Sequence, residues 1–303
     1  MASITFNRDF DPRHGEAVQL SPLIARVTAN NPGPFTFHGT NTYLVGDKAV
    51  AVIDPGPDDP AHVDAILAAV GERPISHILV THTHRDHSPA AMPLKEATGA
   101  PILAEGPHRS ARPLHIGELN PLDASSDSDF APDHVLEDGE RIAGEGFTLE
   151  AVATPGHTAN HMCFALVEED ALFTGDHVMA WSTSIVAPPD GAMIDFMESL
   201  EKLIVRADKR LFPAHGTSVD DPVPFLLGLK EHRLEREASI LARLHAGDRQ
   251  IPDMVRTIYA DTDPRLHGAA GLSVLAHLED LVAREIAATE GVPAINGSFW
   301  LKG

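Results

Sequence analysis

Thr81-His82-Thr83-His84-Arg85-Asp86-His87-Ser88 directly follows the apolar run His77-Ile78-Leu79-Val80. Four groups able to ligate a metal thus fall within six residues, at the exit of what reads as a short buried strand. Imidazole nitrogen and carboxylate oxygen are the donors that zinc and similar divalent ions accept. While the chain is still extended, His82 and His84 share one face. After a turn, Asp86 and His87 can point to a second ion. A single histidine on a polar loop reads as readily as a solvated or helix-capping group; H-x-H-x-D-H at a strand exit points to metal.

Three more strand exits repeat the arrangement. Phe147 to Ala153 ends in Thr154-Pro155-Gly156-His157-Thr158, Ala171 to Thr174 in Gly175-Asp176-His177, and Arg210 to Phe212 in Pro213-Ala214-His215-Gly216. Each apolar run delivers one His or Asp, beside a glycine, to what would be the same edge of a sheet. Ligand sites of open α/β sheets collect at strand ends, and glycine there lets backbone approach a crowded centre.

Around these exits, β-rich runs alternate with helical stretches. Thr42 to Val45 and Ala49 to Ile53 flank Gly46-Asp47 as a β-hairpin. Pro60 opens a helix with Val63, Ile66, Leu67 and Val70 on one face, closed by Gly71. Pro89 to Thr98 reads as a helix, Pro101 to Ala104 as a strand, Met162 to Val167 as a strand, and Met193 to Val205 as a helix. Residues 105–146, rich in Pro, Gly, Asp and Ser, read as long loops. The alternation implies an α/β fold with helices packed on sheet. Thr217 to Pro224 reads as a linker, so the division expected is 1–220 and 221–303. Beyond it lie three helical patterns, marked by Leu234 to Leu244, Pro252 to Tyr259 and Leu275 to Val282, and Gly291 to Trp300 reads as a terminal hairpin. Three helices and a hairpin suggest a winged-helix module.

With these motifs the chain resembles the metallo-β-lactamase superfamily, an αββα sandwich with a two-metal site. Asn41-Thr42-Tyr43, Ile53-Asp54-Pro55-Gly56 and Pro188-Pro189-Asp190-Gly191 extend the likeness over most of residues 35–216. The winged-helix tail makes it similar to the lactamase-beta-like-2 branch, which includes an endoribonuclease for single-stranded RNA. The resemblance implies that His82, His84 and His157 bind one metal, that Asp86, His87 and His215 bind the other, and that Asp176 bridges them. Two divalent ions are expected, zinc first, with iron or manganese also accepted by such donors. A metal-bridging hydroxide would attack an ester-type or phosphodiester substrate, with Asp86 orienting it and handling its proton. The motifs name no separate general acid.

Other residues admit two readings each. Asp54 suits an acceptor that fixes a ligand imidazole and equally a cap on the Asp-Pro-Gly turn. Asn41, Trp181 and His177 are candidates for the surroundings of the ligands or for substrate contact. His177 and His161 read first as hydrogen-bonded structural histidines, Arg85 as a surface ion pair before an anion contact, and Phe196 as core. Phe35 and Trp181 are candidate pocket walls, and Cys163 reads as a small core residue.

Composition narrows the substrate. The chain of 303 residues carries 23 Lys/Arg against 44 Asp/Glu, a formal charge of -21. That balance argues against holding duplex DNA by phosphate neutralisation. Residues 230–303 hold 9 basic and 11 acidic residues, leaving 14 and 33 in residues 1–229. The excess acid therefore belongs to the metal-bearing part, and two dications would supply the positive field that its side chains lack. One cysteine excludes an internal disulfide and a Cys-rich zinc module. Met1 to Asp11 shows no apolar core of a signal peptide, and no run approaches the ~18 apolar residues of a membrane span. A soluble cytoplasmic hydrolase is expected, with a small-molecule or single-stranded nucleic-acid substrate, no membrane partner and self-association left open. Thioester or lactone hydrolysis of the glyoxalase-II kind is the alternative to a single-stranded RNA endonuclease; a non-catalytic winged-helix regulator would have no use for seven ligands. The tail is expected to pack on the active-site face.

Overall fold

In the computed structural model, which describes residues 4–116, 118, 120 and 125–303, the strands form two sheets that face each other. The first runs in chain order through β1 (Ala17–Gln19), β2 (Ile24–Thr28), β3 (Asn41–Val45), β4 (Val50–Ile53), β5 (Ile75–Leu79), β6 (Ile102–Ala104) and β7 (His134–Val135). It is antiparallel up to β4 and parallel from there to β7. The second comprises β8 (Arg141–Gly144), β9 (Phe147–Ala153), β10 (Met162–Leu166), β11 (Ala171–Gly175) and β12 (Arg210–Pro213), with only the β11–β12 pair parallel.

Alternation along the strands builds three apolar layers, because successive side chains point to opposite faces. Between the sheets, Ile24, Tyr43, Ile53 and Leu79 meet Phe147, Met162, Phe164, Phe173 and Phe212. On the outer face of the first sheet, α1 (Pro60–Val70) and α2 (Ala91–Thr98) bury Ile66 and Leu94 against Val52 and Ile78. On the outer face of the second, α3 (Met193–Arg206) buries Phe196, Leu200 and Leu203 against Val152, Cys163 and Leu172. The result is an αββα sandwich. Its helix ends follow their sequence signals: the Asp59 carboxylate accepts from Ala61 N–H at the start of α1, and Gly71 closes it at φ +64.

The four ligand-bearing strand ends do not share one sheet edge. β5 lies in the first sheet, and β9, β11 and β12 lie in the second, so the residues converge at the common edge of the sandwich. Asn41 N–H donates to Ala214 O at 2.7 Å and Met162 N–H to Thr81 O at 2.8 Å, which stitches the sheets together there.

Residues 105–146 are not all loop. They hold β7 and β8, whose two and four residues are too short to show a period; positions 117, 119 and 121–124 of this stretch lie outside the described residues, as do residues 1–3 of the N-terminal segment. β1 and β2 are likewise additional to the elements expected. The linker at Thr217 to Pro224 is a second correction, since α4 (Pro222–His245) begins inside it. Its prolines fall in the first turn, where backbone N–H groups have no intrahelical acceptor to lose. Leu226 and Leu229 at the start of α4 belong to the α3 layer, whereas Ile240 and Leu244 at its end pack with α5 (Ile251–Ile258) and α6 (His267–Ala283). The terminal hairpin pairs β13 (Ala287–Thr289) with β14 (Phe299–Leu301), so it opens earlier than Gly291. Among the described residues, no helix is long and apolar enough to cross a membrane.

Candidate metal centre

Each strand exit is shaped by local backbone before any side chain is considered. After β5, the chain turns so that His87 N–H and Ser88 N–H both donate to His84 O, at 3.0 and 3.2 Å. After β9, Gly156 has φ +136, and a Cβ there would lie 2.3 Å from Phe196 Cα. Only glycine lets this turn press against α3 and deliver His157 inward. After β11, Gly175 has φ +49, and a Cβ would come within 2.8 Å of His161 Nε2 and Thr81 Oγ1.

Seven side chains converge at the sandwich edge, in overlapping groups whose donor atoms lie within 4.8 Å of one another. His84 Nδ1 stands 2.9 Å from His82 Nε2 and 3.1 Å from His157 Nε2. In the other group, Asp86 Oδ2 is 3.3 Å from His87 Nε2 and 3.2 Å from His215 Nε2. Asp176 lies between the groups: Oδ2 is 3.7 Å from His157 Nε2, and Oδ1 is 3.2 Å from His215 Nε2. Six of the seven are buried, and Asp86 is half-buried.

The outward hydrogen bonds fix where the ring protons sit. His157 Nδ1 lies 2.6 Å from Ile185 O and His215 Nδ1 3.1 Å from Gly39 O, acceptors that require an N–H. His87 Nδ1 donates to Asp54 Oδ2 at 2.9 Å. Thr81 Oγ1 gives its proton to Asp54 Oδ2, so at 3.0 Å from His82 Nδ1 it accepts. In neutral rings, the inward Nε2 atoms of His82, His87, His157 and His215 are therefore lone pairs. Lone pairs facing one another and facing carboxylates repel unless a cation or a proton lies between them. Among the described residues, buried His84 Nε2, His87 Nε2, His215 Nε2 and Asp176 Oδ1 find no hydrogen-bond partner. This donor set fits divalent metal ions, with the outward nitrogens of His82, His87, His157 and His215 held as metal-bound imidazoles require.

The electrostatics divide the cluster in the same way. Burial pushes His82 and His157 below the ordinary imidazole value and His84 down to about 3, so this half is neutral. Burial also opposes charge on His87 and His215, but the carboxylates outweigh it. Asp86, Asp54 and Asp176 hold His87 well above its usual range, and Asp176 with Asp86 lifts His215 to about 10. Desolvation favours the neutral form of Asp86 and Asp176, yet the facing histidines keep both well below the usual carboxylate range.

A model of the metallo-beta-lactamase superfamily matches residues 35–215, and one of the beta-lactamase associated winged helix domain matches residues 251–293. The chain belongs to the metallo-β-lactamase superfamily. Among its relatives, a "Beta-lactamase-like protein 2 homolog" of Caenorhabditis elegans is 32% identical over 256 residues, covering 82% of this chain and 81% of that protein. An "Atrochrysone carboxyl ACP thioesterase" of Cryptosporiopsis sp. is 33% identical over 232 residues, 75% of this chain and 64% of its own length. The fold matches a beta-lactamase domain protein from Burkholderia ambifaria at TM-score 0.80 and 18% identity, covering 98% of this chain and 97% of that one. This is a hydrolase of the metallo-β-lactamase fold with a winged-helix tail.

Around the cluster, the superfamily sandwich places the remaining sequence candidates as follows. Asp54, at φ +50, sends both oxygens across to Thr81 and His87 rather than into its own turn. Asn41 is fully buried and donates to Pro213 O and Gly216 O, clamping the chain on either side of His215. Trp181 stacks on Phe37 with ring centroids 4.7 Å apart, and Gly216 packs against its edge. Among the described residues, the His177 ring makes no hydrogen bond and packs on Phe196 at 4.4 Å, so the ring is buried without the bonds expected of it. His161 is: it faces Thr154 Oγ1 and accepts from Asp176 N–H, fixing that residue's backbone. Phe196 and Cys163 are core, and Phe35 is exposed. Arg85 donates to Ser126 O, and among the described residues it forms no ion pair.

Several supporting residues were not among the site candidates expected from the sequence. His108 reaches Thr83 Oγ1, between His82 and His84, from a loop 25 residues on. Asp190, fully buried, accepts from Ser110 Oγ and Asn120 Nδ2. Glu279 of α6 receives Arg112 at 2.7 Å, so the tail grips the loop that borders the centre.

Proposed function

We propose that this chain is a two-metal thioester hydrolase, with one ion on His82, His84 and His157, the other on Asp86, His87 and His215, and Asp176 shared. The observation that carries this reading is the position of the Asp176 carboxylate, whose two oxygens address different histidine groups at 3.7 and 3.2 Å. A one-ion site has no need of that arrangement. When bound, the ions supply acidification of a water molecule and polarisation of the substrate carbonyl. Zinc, iron and manganese all suit these donors.

The chain's own groups then have distinct tasks. Asp86, whose side chain is 25% accessible, meets solvent more than its six neighbours; held well below the usual carboxylate range, it orients the attacking water while that water's proton passes to solvent. Asp54, Ile185 O and Gly39 O keep His87, His157 and His215 aimed inward. With five imidazoles and two carboxylates engaged, no acid remains in the cluster to protonate a leaving group. A thiol with pKa ~8.5 departs as thiolate without one, whereas an alkoxide or amine needs a proton. The relatives named as acyl-carrier-protein thioesterases support the same substrate class.

The tail, taken as residues 221–303, does not read duplex DNA in this proposal. Arg284 is engaged with Glu237 and Asp280, and Glu279 with Arg112, so α6 offers no free basic face.

Metal content of the purified full chain, followed by a panel of acyl thioester, lactone, bis-nitrophenyl phosphate, single-stranded RNA and cephalosporin, tests this reading. Two ions per chain and thioester turnover, lost in His84→Ala and Asp176→Ala, are expected. Less than one ion per chain would sink the enzyme reading, and turnover of phosphodiesters alone would replace thioesterase with nuclease.

A further inference from the structure

We infer that Arg233 of the tail helix α4 is a positioning residue for the metal centre, holding the loop whose Ile185 carbonyl aims His157; this rests on the ligand role proposed for His157. Arg233 is 4% exposed. Its Nη2 donates to Ser184 O at 2.5 Å, and the next carbonyl, Ile185 O, accepts from His157 Nδ1 at 2.6 Å. Two consecutive peptide units thus connect a tail cation to a ligand imidazole. Ser184 Oγ donates to His177 O at 2.9 Å, which ties the same loop back to the residue after Asp176.

The setting of Arg233 is costly for folding. Among the described residues, no carboxylate pairs with it, Nε has no partner, and the guanidinium lies over the Phe196 ring at 4.8 Å. The charged or titratable groups that act on it are Tyr259 and the like-charged Arg236. Burial lowers its pKa to about 10, so it remains charged at neutral pH. A buried cation without a counter-ion is worse for stability than an apolar side chain of similar volume. Sequences break such a rule chiefly where function requires it, and the side-chain bond from Arg233 to Ser184 O leads to the metal centre.

A purely structural role and a positioning role differ in the metal-free protein. The full chain is stripped of metal and its thermal unfolding followed, then zinc is titrated in competition with a chromophoric chelator. Arg233→Met is expected to melt, metal-free, at or above the wild-type temperature while one of two zinc sites weakens by tenfold to a hundredfold. Arg233→Lys, which keeps a donor near Ser184 O, is expected to fall between. Arg236→Met, on the same helix, is expected to leave both zinc affinities unchanged. Wild-type zinc binding in Arg233→Met overturns the inference, and so does a metal-free variant that melts well below wild type or does not fold, because Arg233 would then be a stability residue. A wild-type chain that binds fewer than two zinc ions overturns the proposed function itself and takes this inference with it.

Discussion

His277 on α6 offers a test of the packing that is independent of the metal. It is 2% exposed, and among the described residues neither ring nitrogen has a hydrogen-bond partner. Burial first, then the nearby Arg233, Arg236 and Arg284 guanidinium groups, push its pKa down to about 3. In the unfolded chain the ring titrates near ~6.5. Between these values the unfolded state binds a proton that the folded state does not, so stability falls as pH falls through that window and is insensitive to His277 above about pH 7. At pH 5.5 the loss is about 1.4 kcal/mol relative to pH 7.5, one unit of proton binding at ~1.36 kcal/mol per pH unit. Leu in its place has similar volume and no titration, and it removes two unsatisfied nitrogens whose burial costs about 1–3 kcal/mol. His277→Leu is therefore expected to be more stable than wild type at pH 7.5, with the gap widening by about 1.4 kcal/mol at pH 5.5. For a chain of this size that widening is a difference of about 2 °C in Tm. Urea unfolding at both pH values measures it. Parallel loss of stability in wild type and variant would refute the picture of a neutral, desolvated ring.

Gly156→Ala places a Cβ 2.3 Å from Phe196 Cα and 2.4 Å from its nitrogen, backbone atoms that cannot swing aside. A loss of about 3 kcal/mol or more is expected in denaturant unfolding, with metal affinity falling alongside because His157 must move. Asp54→Asn leaves one acceptor oxygen for three donors, Thr81 N–H, Thr81 Oγ1 and His87 Nδ1. Zinc affinity measured by competition is expected to drop about 10- to 100-fold, and an unchanged value would remove Asp54 from the support of His87. Treatment with a strong chelator is expected to abolish hydrolysis, and readdition of zinc, iron or manganese to restore it; activity that survives verified removal of metal would exclude the two-metal reading.

The motifs that declare themselves in the sequence are those whose signal is local. H-x-H-x-D-H compresses four groups into one turn, and His157, Asp176 and His215 each follow an apolar run directly, so the residues that meet at the sandwich edge were readable before the fold. What stayed hidden depends on partners distant in the chain. β7 and β8 are too short to carry a period and exist because a sheet edge is there to pair with. The prolines at 222 and 224 read as a linker, because the same residues serve a loop and a first helical turn, and only the packing of Leu226 and Leu229 on the α3 layer decides between them. His108 and Arg233 connect to the centre across 25 or more residues, through contacts with no spacing rule.

Histidine number alone does not mark the centre, and burial does not either. Of the chain's 18 histidines, His161, His177 and His277 are as deeply buried as the five at the sandwich edge. The difference lies in how the two ring nitrogens are treated. His161 has both engaged, by Thr154 and Asp176 N–H, leaving nothing to offer a ligand. His177 and His277 have neither engaged, so nothing fixes a tautomer or a direction. His82, His87, His157 and His215 each have the outward nitrogen held and the inward one aimed at other donor atoms. An imidazole held at one nitrogen and exposed to lone pairs or carboxylates at the other is poorly placed in a metal-free core and well placed around a cation. The folding cost of assembling such a centre is met by the sandwich around it, where Asn41, Asp54, Thr81 and the loop at Ser184 spend their hydrogen bonds on orientation rather than on the strands that carry them.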